Sequence, residues 1–307
     1  MTARIAILGA FVADATFRTA RLPRMGETVF GESAALSPGG KGSNQAAAAA
    51  RLGAEVVLIS RLGHDALAEM ALSAWAEAGV TPLVSRSHGA ATGIASVMVD
   101  PATGENAIVV HPGAALELSE ADADSAADAI RSASVFLTQL EQPLPAAMRA
   151  LEIARRAGVT TVLNPAPFAE IPTAMLALCD YVTPNETEAE LLTEIPVGTD
   201  DGARRAAAVL RGRGAGVAAI TLGARGALYH GPDTTFLASA FRAGRTVETT
   251  GAGDAFNGAF AVALAEGLEP ERAVCFACAA AGLSVTRAGA ARSMPVRTEV
   301  EALLAAR

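Results

Sequence analysis

The residues Gly251, Ala252, Gly253 and Asp254 place a carboxylate directly after a glycine-rich turn. Residues 245–247 before the turn predict the end of a strand, and the small apolar residues 255–264 after it predict a buried helix. Glycines let a backbone approach a ligand closely, and the unpaired N–H groups of a first helical turn attract anions. A carboxylate beside an anion site is useful when it accepts a proton. Phosphoryl transfer to a hydroxyl needs this arrangement.

A second interpretation of Asp254 is purely structural. Asp at a helix N-terminus caps the helix and complements its dipole, which stabilises it by about 0.5–2 kcal/mol. Short glycine motifs are weak evidence when taken alone, and on these residues alone the cap is the commoner explanation. Other segments must therefore decide between a cap and a catalytic base.

Three further segments carry candidate binding groups. The loop 38–44 offers the ammonium of Lys41 and the amide of Asn44 before a predicted helix 46–52, which suits a polyhydroxylated ligand or, equally, a solvated loop. Asn185 and Glu188 have the spacing of a capping box, although Glu188 could also hold hydrated Mg²⁺. The turn 221–226 could pack a flat ring or phosphates. Neither a Walker A motif nor a dinucleotide fingerprint is present.

The elements that must position these groups alternate between strand and helix. This alternation predicts a parallel sheet covered by helices. The predicted strands are 4–9, 55–60, 80–85, 135–140, 159–163, 181–183 and 217–222. The predicted helices are 66–78, 121–131, 144–157, 201–211, 270–285 and 298–306, besides the two named above. Residues 22–31 and a hairpin of strands 93–100 and 106–111, joined by the turn 101–104, predict a small antiparallel sheet. Residues 226–241 predict a second pair of short strands.

The composition limits the classes of partner. The 307 residues are 51% hydrophobic and 18% charged, which predicts a well-buried globular chain. A net charge of -8 argues against nucleic acid and anionic membranes as partners. The absence of a signal or membrane-spanning pattern and the presence of only three cysteines predict a cytoplasmic protein. Cys275 and Cys278 are interpreted as core residues of an Ala-rich helix rather than as a metal or redox pair.

Nine segments agree, in order and over nearly the whole chain, with one known family. The chain resembles the ribokinase-like (PfkB) family of sugar kinases. The segments are 9–14, 26–28, 39–45, 139–141, 164–167, 183–190, 221–226, 251–254 and 285–287.

The resemblance implies one α/β domain, residues 1–307, folded as a three-layer α/β/α sandwich with a mostly parallel sheet. A β-sheet lid would come from segments of about 11–38 and 90–112, and a homodimer would form through it. The implied reaction transfers the γ-phosphoryl of ATP to the 5-hydroxyl of D-ribose, with Mg²⁺ and K⁺ as cofactors. A kinase for 2-deoxyribose, another sugar or a nucleoside is the alternative. A third interpretation is a non-catalytic sugar-binding regulator.

The resemblance also implies roles for individual residues. Asp254 would be the base, with an anion hole formed by Gly251, Ala252 and Gly253. Sugar contacts would come from Asp14, Gly40, Lys41, Asn44 and Glu141, together with Asp254. Nucleotide contacts would come from Asn185, Thr221, Gly223, Gly226 and Gly253. Glu188 would hold Mg²⁺ through water. The K⁺ site would comprise Glu248, Thr250, Ser284, Arg287, Gly289 and Ser293, several of them through backbone carbonyls.

Three positions depart from the family pattern. Val12 replaces an asparagine near the sugar, which should weaken discrimination against a sugar lacking one hydroxyl by about 1–3 kcal/mol. Glu248 replaces an aspartate at the K⁺ site, and its longer reach could reshape that site. Cys278 replaces a histidine near the adenine, which leaves the nucleotide preference open.

Overall fold

A computed structural model describes residues 3–100 and 106–306, with the side chain of Asn106 also left undescribed. Nine strands form one sheet in the order β13-β12-β11-β10-β9-β8-β1-β4-β5, and only β12 and β13 run antiparallel to their neighbours. Their bounds are β1 Arg4–Leu8, β4 Glu55–Leu62, β5 Val80–Arg86, β8 Val135–Thr138, β9 Thr160–Leu163, β10 Tyr181–Val182, β11 Val217–Thr221, β12 Ala227–His230 and β13 Thr235–Ala238.

Helices cover both faces of this sheet. Along β1, Ile5 and Ile7 belong to one hydrophobic core and Ala6 and Leu8 to the other, as expected for a strand buried on both sides. The first core includes residues of α1 Lys41–Arg51, α2 Ala66–Ala78, α9 Ala252–Ala265, α10 Pro270–Ser284 and α11 Arg297–Ala305. The second includes residues of α3 Glu120–Ser125, α4 Ala127–Arg131, α5 Leu144–Arg156, α6 Thr173–Leu176, α7 Glu186–Thr193 and α8 Asp200–Gly212. The predicted three-layer sandwich is confirmed.

A separate four-stranded sheet has the order β3-β2-β6-β7. It contains β2 Val12–Arg18, β3 Ser33–Gly39, β6 Thr92–Val99 and β7 Asn106–Gly113. The pairs β2–β3 and β6–β7 are antiparallel, whereas β2 and β6 run parallel. The sheet is therefore mixed, because its two hairpins come from separate segments that enter it side by side. Its role as a lid, like the division into one domain with two lid segments, stays a prediction.

Several predicted elements need correction. Residues 245–247 are not a strand: the N–H groups of Val247 and Glu248 both donate to the carbonyl of Val285 at the end of α10, so no strand neighbours them. Residues 22–31 form the connection between β2 and β3 rather than strands themselves. The predicted helix 121–131 is divided into α3 and α4 at Ala126. The turn 101–104 lies outside the described residues.

Helix α1 begins five positions earlier than predicted, at Lys41 instead of Ala46. Its N-cap, Gly40, has φ 86°, and a Cβ there would lie 2.7 Å from the carbonyl oxygen of Ala10. A glycine is therefore needed for the chain to turn directly from β3 into the helix. Because of this early start, Lys41, Asn44 and Gln45 all lie in the first two turns of α1.

Within the described ranges, none of the helices has the length and apolar character required to cross a membrane.

Candidate active site

Asp254 lies in the first turn of α9, but its side chain does not cap that helix. The N-cap is Gly251, with φ 81°. The Asp254 carboxylate is 7% exposed. Its Oδ2 accepts a hydrogen bond from Asn44 Nδ2 at 2.9 Å, and its Oδ1 accepts one from Gln45 Nε2 at 3.0 Å. The carboxylate thus bonds to another helix and does not cap α9, although its place in the first turn still complements the helix dipole.

Two close backbone approaches bring α1 to this carboxylate. A Cβ on Gly258 of α9 would lie 2.6 Å from Ala48 Cβ and 2.7 Å from the carbonyl oxygen of Gln45. A Cβ on Gly42 would lie 2.6 Å from Gly9 Cα, at the end of β1. Neither place has room for a larger residue. The glycines therefore set the separation of the two helices and of α1 from the sheet.

The predicted sugar contacts surround Asp254 with acidic groups. Burial, together with the nearby charges of Asp254 and Glu248, raises the pKa of Asp14 to about 6. Burial likewise raises the pKa of Glu141 to about 7, although Lys41 opposes the shift. Burial also raises the pKa of Asp254, against the effects of Lys41 and of the two amide donors. The site is a cluster of one buried and two partly buried carboxylates, which positive charge or hydroxyl donors would stabilise.

Lys41 supplies the positive charge of this cluster, and it is the only lysine among the 24 Lys and Arg residues of the chain. Burial by itself would lower the pKa of the ammonium, but the charges of Asp254, Glu141 and Glu188 raise it above its usual value. The Lys41 backbone N–H also donates to Glu141 Oε2 at 2.7 Å. Lys41 therefore keeps its positive charge beside these carboxylates, and it lines the same small cavity as Asp254 and Glu188.

Two adjoining cavities meet at α9. The larger has a volume of about 750 Å³, and its lining contains all five predicted nucleotide residues: Asn185, Thr221, Gly223, Gly226 and Gly253. The smaller has a volume of about 150 Å³ and is lined by Lys41, Glu188 and Asp254, among others. Asn185, Thr221 and Gly253 line both cavities. A ligand that fills the larger cavity therefore extends toward the base.

The lining of the larger cavity includes residues that were not predicted. Phe241, Phe256, Ala281, Gly282 and Val285 make part of it apolar. Such a surface suits a flat aromatic ring. Apart from Val285, which belongs to the segment 285–287, these residues carry no distinctive motif, so their role could not be found from the sequence. Cys278, which was predicted near the nucleotide, also lines this cavity.

Glu188 fits a metal held mainly through water and phosphate. Its Oε2 accepts the N–H of Asn185 at 2.9 Å, which completes the predicted capping box. Its side chain also lines the smaller cavity, so the cap and a metal role are compatible. Across the described parts of the chain, no three His, Cys, Asp or Glu residues form a metal-binding group. Mg²⁺ commonly binds through one or two carboxylates, waters and substrate phosphates, and this site offers such a setting.

The residues predicted for K⁺ are only partly brought together by recorded contacts. Glu248 Oε2 accepts the N–H of Gly289 at 3.0 Å, which joins the loop before α9 to the loop after α10. The hydroxyls of Ser284 and Ser293 donate to the carbonyls of residues 281 and 290 in their own turns. The Arg287 guanidinium pairs with Glu299 on α11. Thr250 is exposed at the start of the turn.

Four buried polar residues in this region were given no role by sequence reasoning. Gln45, Asn164, Thr183 and Asn257 form a hydrogen-bonded group next to Asp254. Asn257 occurs within an otherwise small and apolar helical run, and Gln45 directly precedes one. Buried amides require partners, so an amide within or next to such a run is a signal that could have identified both residues.

Comparisons with known proteins agree with this geometry. Residues 2–297 match the family described as pfkB family carbohydrate kinase. A ribokinase of Haemophilus influenzae is 38% identical over 97% of each chain. A deoxyribokinase of Salmonella typhimurium is 35% identical over 95% of each chain. The structure of Arabidopsis thaliana ribokinase complexed with ribose and ATP superimposes with a TM-score of 0.94 at 34% identity, covering 99% of both chains. This chain therefore belongs to the pfkB family of carbohydrate kinases.

Proposed function

We propose that this protein transfers the γ-phosphoryl group of ATP to the 5-hydroxyl of D-ribose. The observation that carries the proposal is the position of Asp254, on a cavity that shares three lining residues with the predicted nucleotide cavity. Relatives named ribokinase and the ribose and ATP complex of the Arabidopsis protein support the choice of substrates.

The residues divide the chemistry among them. Asp254 accepts the proton of the acceptor hydroxyl as that oxygen attacks the phosphorus. The N–H groups at the start of α9 and the Lys41 ammonium stabilise the negative charge on the transferred group. The carboxylates of Asp14 and Glu141 accept hydrogen bonds from the sugar hydroxyls, and the Asn44 amide completes the set of sugar contacts. The Asn44 Oδ1 is buried and has no partner within the described residues, and a sugar hydroxyl would supply the missing donor.

Two ions belong to the proposal. Mg²⁺, held through water by Glu188, would neutralise phosphate charge during transfer. K⁺ would bind beside the anion hole, between the loops that Glu248 and Gly289 join. Rates measured in K⁺ and in Na⁺, with K⁺-dependent thermal stabilisation as a second readout, test the K⁺ assignment. Equal rates and equal melting temperatures in both salts would contradict it.

The residue at position 12 favours a second acceptor, 2-deoxyribose. Val12 is 3% exposed and lies two residues before Asp14 on β2, so both side chains share the same face of the strand. An apolar side chain there offers no hydrogen bond to a sugar hydroxyl. Val12→Asn should increase the preference for ribose over 2-deoxyribose by about 10-fold. An unchanged ratio of kcat/KM values would remove Val12 from the list of specificity residues.

The small sheet is proposed to act as the lid and to form a homodimer interface. Exposed apolar side chains lie on its face opposite Asp14, and they include Phe17, Leu36, Ile94 and Val109. Apolar side chains grouped in this way are typical of a protein contact. Light scattering of the wild type and of Val109→Lys tests the interface. A monomeric wild type would contradict it.

An ATP-coupled assay over a panel of sugars and nucleosides tests the main proposal. Ribose should give the largest kcat/KM value, with 2-deoxyribose next. Preference for a nucleoside or another sugar would change the assigned acceptor. Sugar binding without any phosphoryl transfer would instead identify a non-catalytic regulator.

A further inference from the structure

Gln45 bonds to the proposed base but does not belong to the lining of the cavity on which that base lies. Its side chain is fully buried, and Nε2 donates to Asp254 Oδ1 at 3.0 Å. The neighbouring Asn44 donates to Oδ2 at 2.9 Å, leaving its own Oδ1 without a partner in the described chain. The two amides therefore differ, because the side-chain oxygen of Asn44 is unpaired and that of Gln45 is not.

The amide of Gln45 is held by three partners. Its Nε2 also donates to Asn164 Oδ1 at 3.0 Å, and its Oε1 accepts a hydrogen bond from Gln139 Nε2 at 2.5 Å. A rotation of the amide by 180° would place Oε1 against two acceptor oxygens, on Asp254 and Asn164. It would also place Nε2 against the donor of Gln139. The contacts thus fix which end of the amide faces the base.

The chain of bonds continues from Asn164 to the other side of the catalytic turn. Asn164 Nδ2 donates to the carbonyl of Thr183 at 2.9 Å, and Thr183 Oγ1 donates to Asn257 Oδ1 at 2.5 Å. Asn257 Nδ2 then donates to the carbonyl of Gly253 at 2.8 Å. The first turn of α9 is therefore bonded at the carboxylate of Asp254 and at the carbonyl of the preceding residue. The bonds from Gln45 to Gly253 pair each donor that they involve, and buried networks of this kind are rigid. Gln139 Oε1 is the unpaired atom at the other end of the network, within the described residues.

We propose that Gln45 is a positioning residue of the phosphoryl-transfer reaction: it holds the Asp254 carboxylate in the orientation that accepts the acceptor's proton, and Gln139 fixes the Gln45 amide for this task. The inference rests on the proposed function. It adds two side chains that touch neither the sugar nor the nucleotide. A hydrogen bond donated to a carboxylate favours its charged form, so Gln45 also keeps Asp254 deprotonated at lower pH.

The test compares three methionine variants, because methionine keeps the approximate length of glutamine and removes its donor and acceptor. Gln45→Met should lower kcat for ribose about 10- to 100-fold, since small displacements of a catalytic group have effects of this size. The KM for ribose should change less than about threefold, because the sugar contacts remain. The acid limb of the kcat–pH profile should move up by about one pH unit.

In Gln139→Met, Gln45 can still donate to Asp254, but the hydrogen bond from Gln139 that fixes the Gln45 amide is removed. The loss in kcat should be smaller, about three- to 10-fold, with a shift of the acid limb in the same direction. If Gln45→Met does not fold, the kcat and the pH profile of Gln139→Met test the proposal. The charged groups that face Asp254 are Lys41, Asp14, Glu141 and Glu188, and all remain in each variant.

Gln142→Met is the matched control. Gln142 is 4% exposed and bonds to the hydroxyl of Thr138 and the carbonyl of Gln139, away from Asp254. It should lose stability while its pH profile stays that of the wild type. The inference is overturned if Gln45→Met and Gln139→Met keep the wild-type acid limb and kcat per folded molecule, or if Gln142→Met shifts the limb equally. A wild type that phosphorylates no sugar overturns the proposed function instead.

Discussion

The acceptor side of the cleft contains buried and partly buried charged and amide side chains, whereas the nucleotide side is lined mostly by glycines, alanines and two phenylalanines. On the first side, Asp14, Lys41, Glu141 and Asp254 form a group in which charges shift the pKa values of neighbouring residues. On the second side, polar side chains such as Asn185 and Thr221 are the minority of the cavity lining. The sides meet at Gly253 and Asp254, which lie next to each other in sequence.

The acceptor side and the nucleotide side of the cleft should discriminate between ligands in different ways. A site of buried hydrogen-bonding groups rejects a ligand that leaves one of them unpaired, whereas an apolar site rejects mainly by size. The acceptor side should therefore be sensitive to single polar substitutions. The nucleotide side should be sensitive to added volume. Four predictions test this contrast, from the largest expected effect to the smallest.

Asp254→Asn should lower kcat about 100- to 10,000-fold, because it removes the proton acceptor while keeping the size of the side chain. Thermal unfolding should show that the variant is still folded. Steady-state rates with ribose and ATP give the measurement. Activity within a few-fold of the wild type would exclude Asp254 as the base.

Lys41→Met should lower kcat/KM about 100-fold, and Lys41→Arg about 10-fold, because a planar guanidinium does not replace a compact ammonium. Since Lys41 is the only lysine, an amine-directed reagent has one side-chain target in the whole chain. ATP and ribose together should protect it from labelling, as peptide mass analysis would show. Labelling at the same rate with and without ligands would place Lys41 outside the site.

Gly253→Ala and Gly258→Ala separate ligand space from packing on the same helix. A Cβ on Gly253 would meet no atom within 4 Å, while one on Gly258 would collide with α1. Gly253→Ala should keep or raise stability, by up to about 1 kcal/mol, because alanine favours helices. Its kcat/KM for ATP should fall about 10-fold as the methyl group enters the phosphate space.

Gly258→Ala should instead lose about 1–3 kcal/mol of stability through overpacking. Denaturant titrations and ATP kinetics on both variants distinguish the two effects. The contrast fails if Gly253→Ala binds and uses ATP normally.

Asp14→Asn should stabilise the ligand-free protein at high pH. A carboxyl whose pKa rises from 3.8 to about 6 on folding binds protons more tightly in the folded state. Stability therefore falls as pH rises through that interval, and the loss is complete above it. The variant should gain about 3 kcal/mol at pH 8 and little at pH 4.

Urea titrations at the two pH values measure this difference. The exposed Asp201→Asn, on α8, serves as the comparison for removal of a carboxylate outside the site. Equal effects of Asp14→Asn at both pH values would show that the pKa of Asp14 is not raised. The KM for ribose should increase in the same variant.

Most of the framework could be predicted because local signals were strong and agreed with one another. The α2 bounds 66–78 were predicted without error, since Asp65 caps the helix and Gly79 ends it in the left-handed conformation. The predicted nucleotide residues also share one cavity. Predictions failed where long-range contacts decide conformation. Residues 245–247 have strand propensity, yet their hydrogen-bond partner is the end of a helix.

The sequence by itself determined the alternation of strands and helices, the family, and Asp254 as the candidate base, because these depend on short-range patterns and on the order of motifs. Only the tertiary structure decided what surrounds that base. Asn44 and Gln45 are about 210 residues from Asp254 along the chain and no local pattern can report such a pairing. Glycines that let α1 approach α9 bring these residues together, and the resulting burial raises the pKa of the carboxylate.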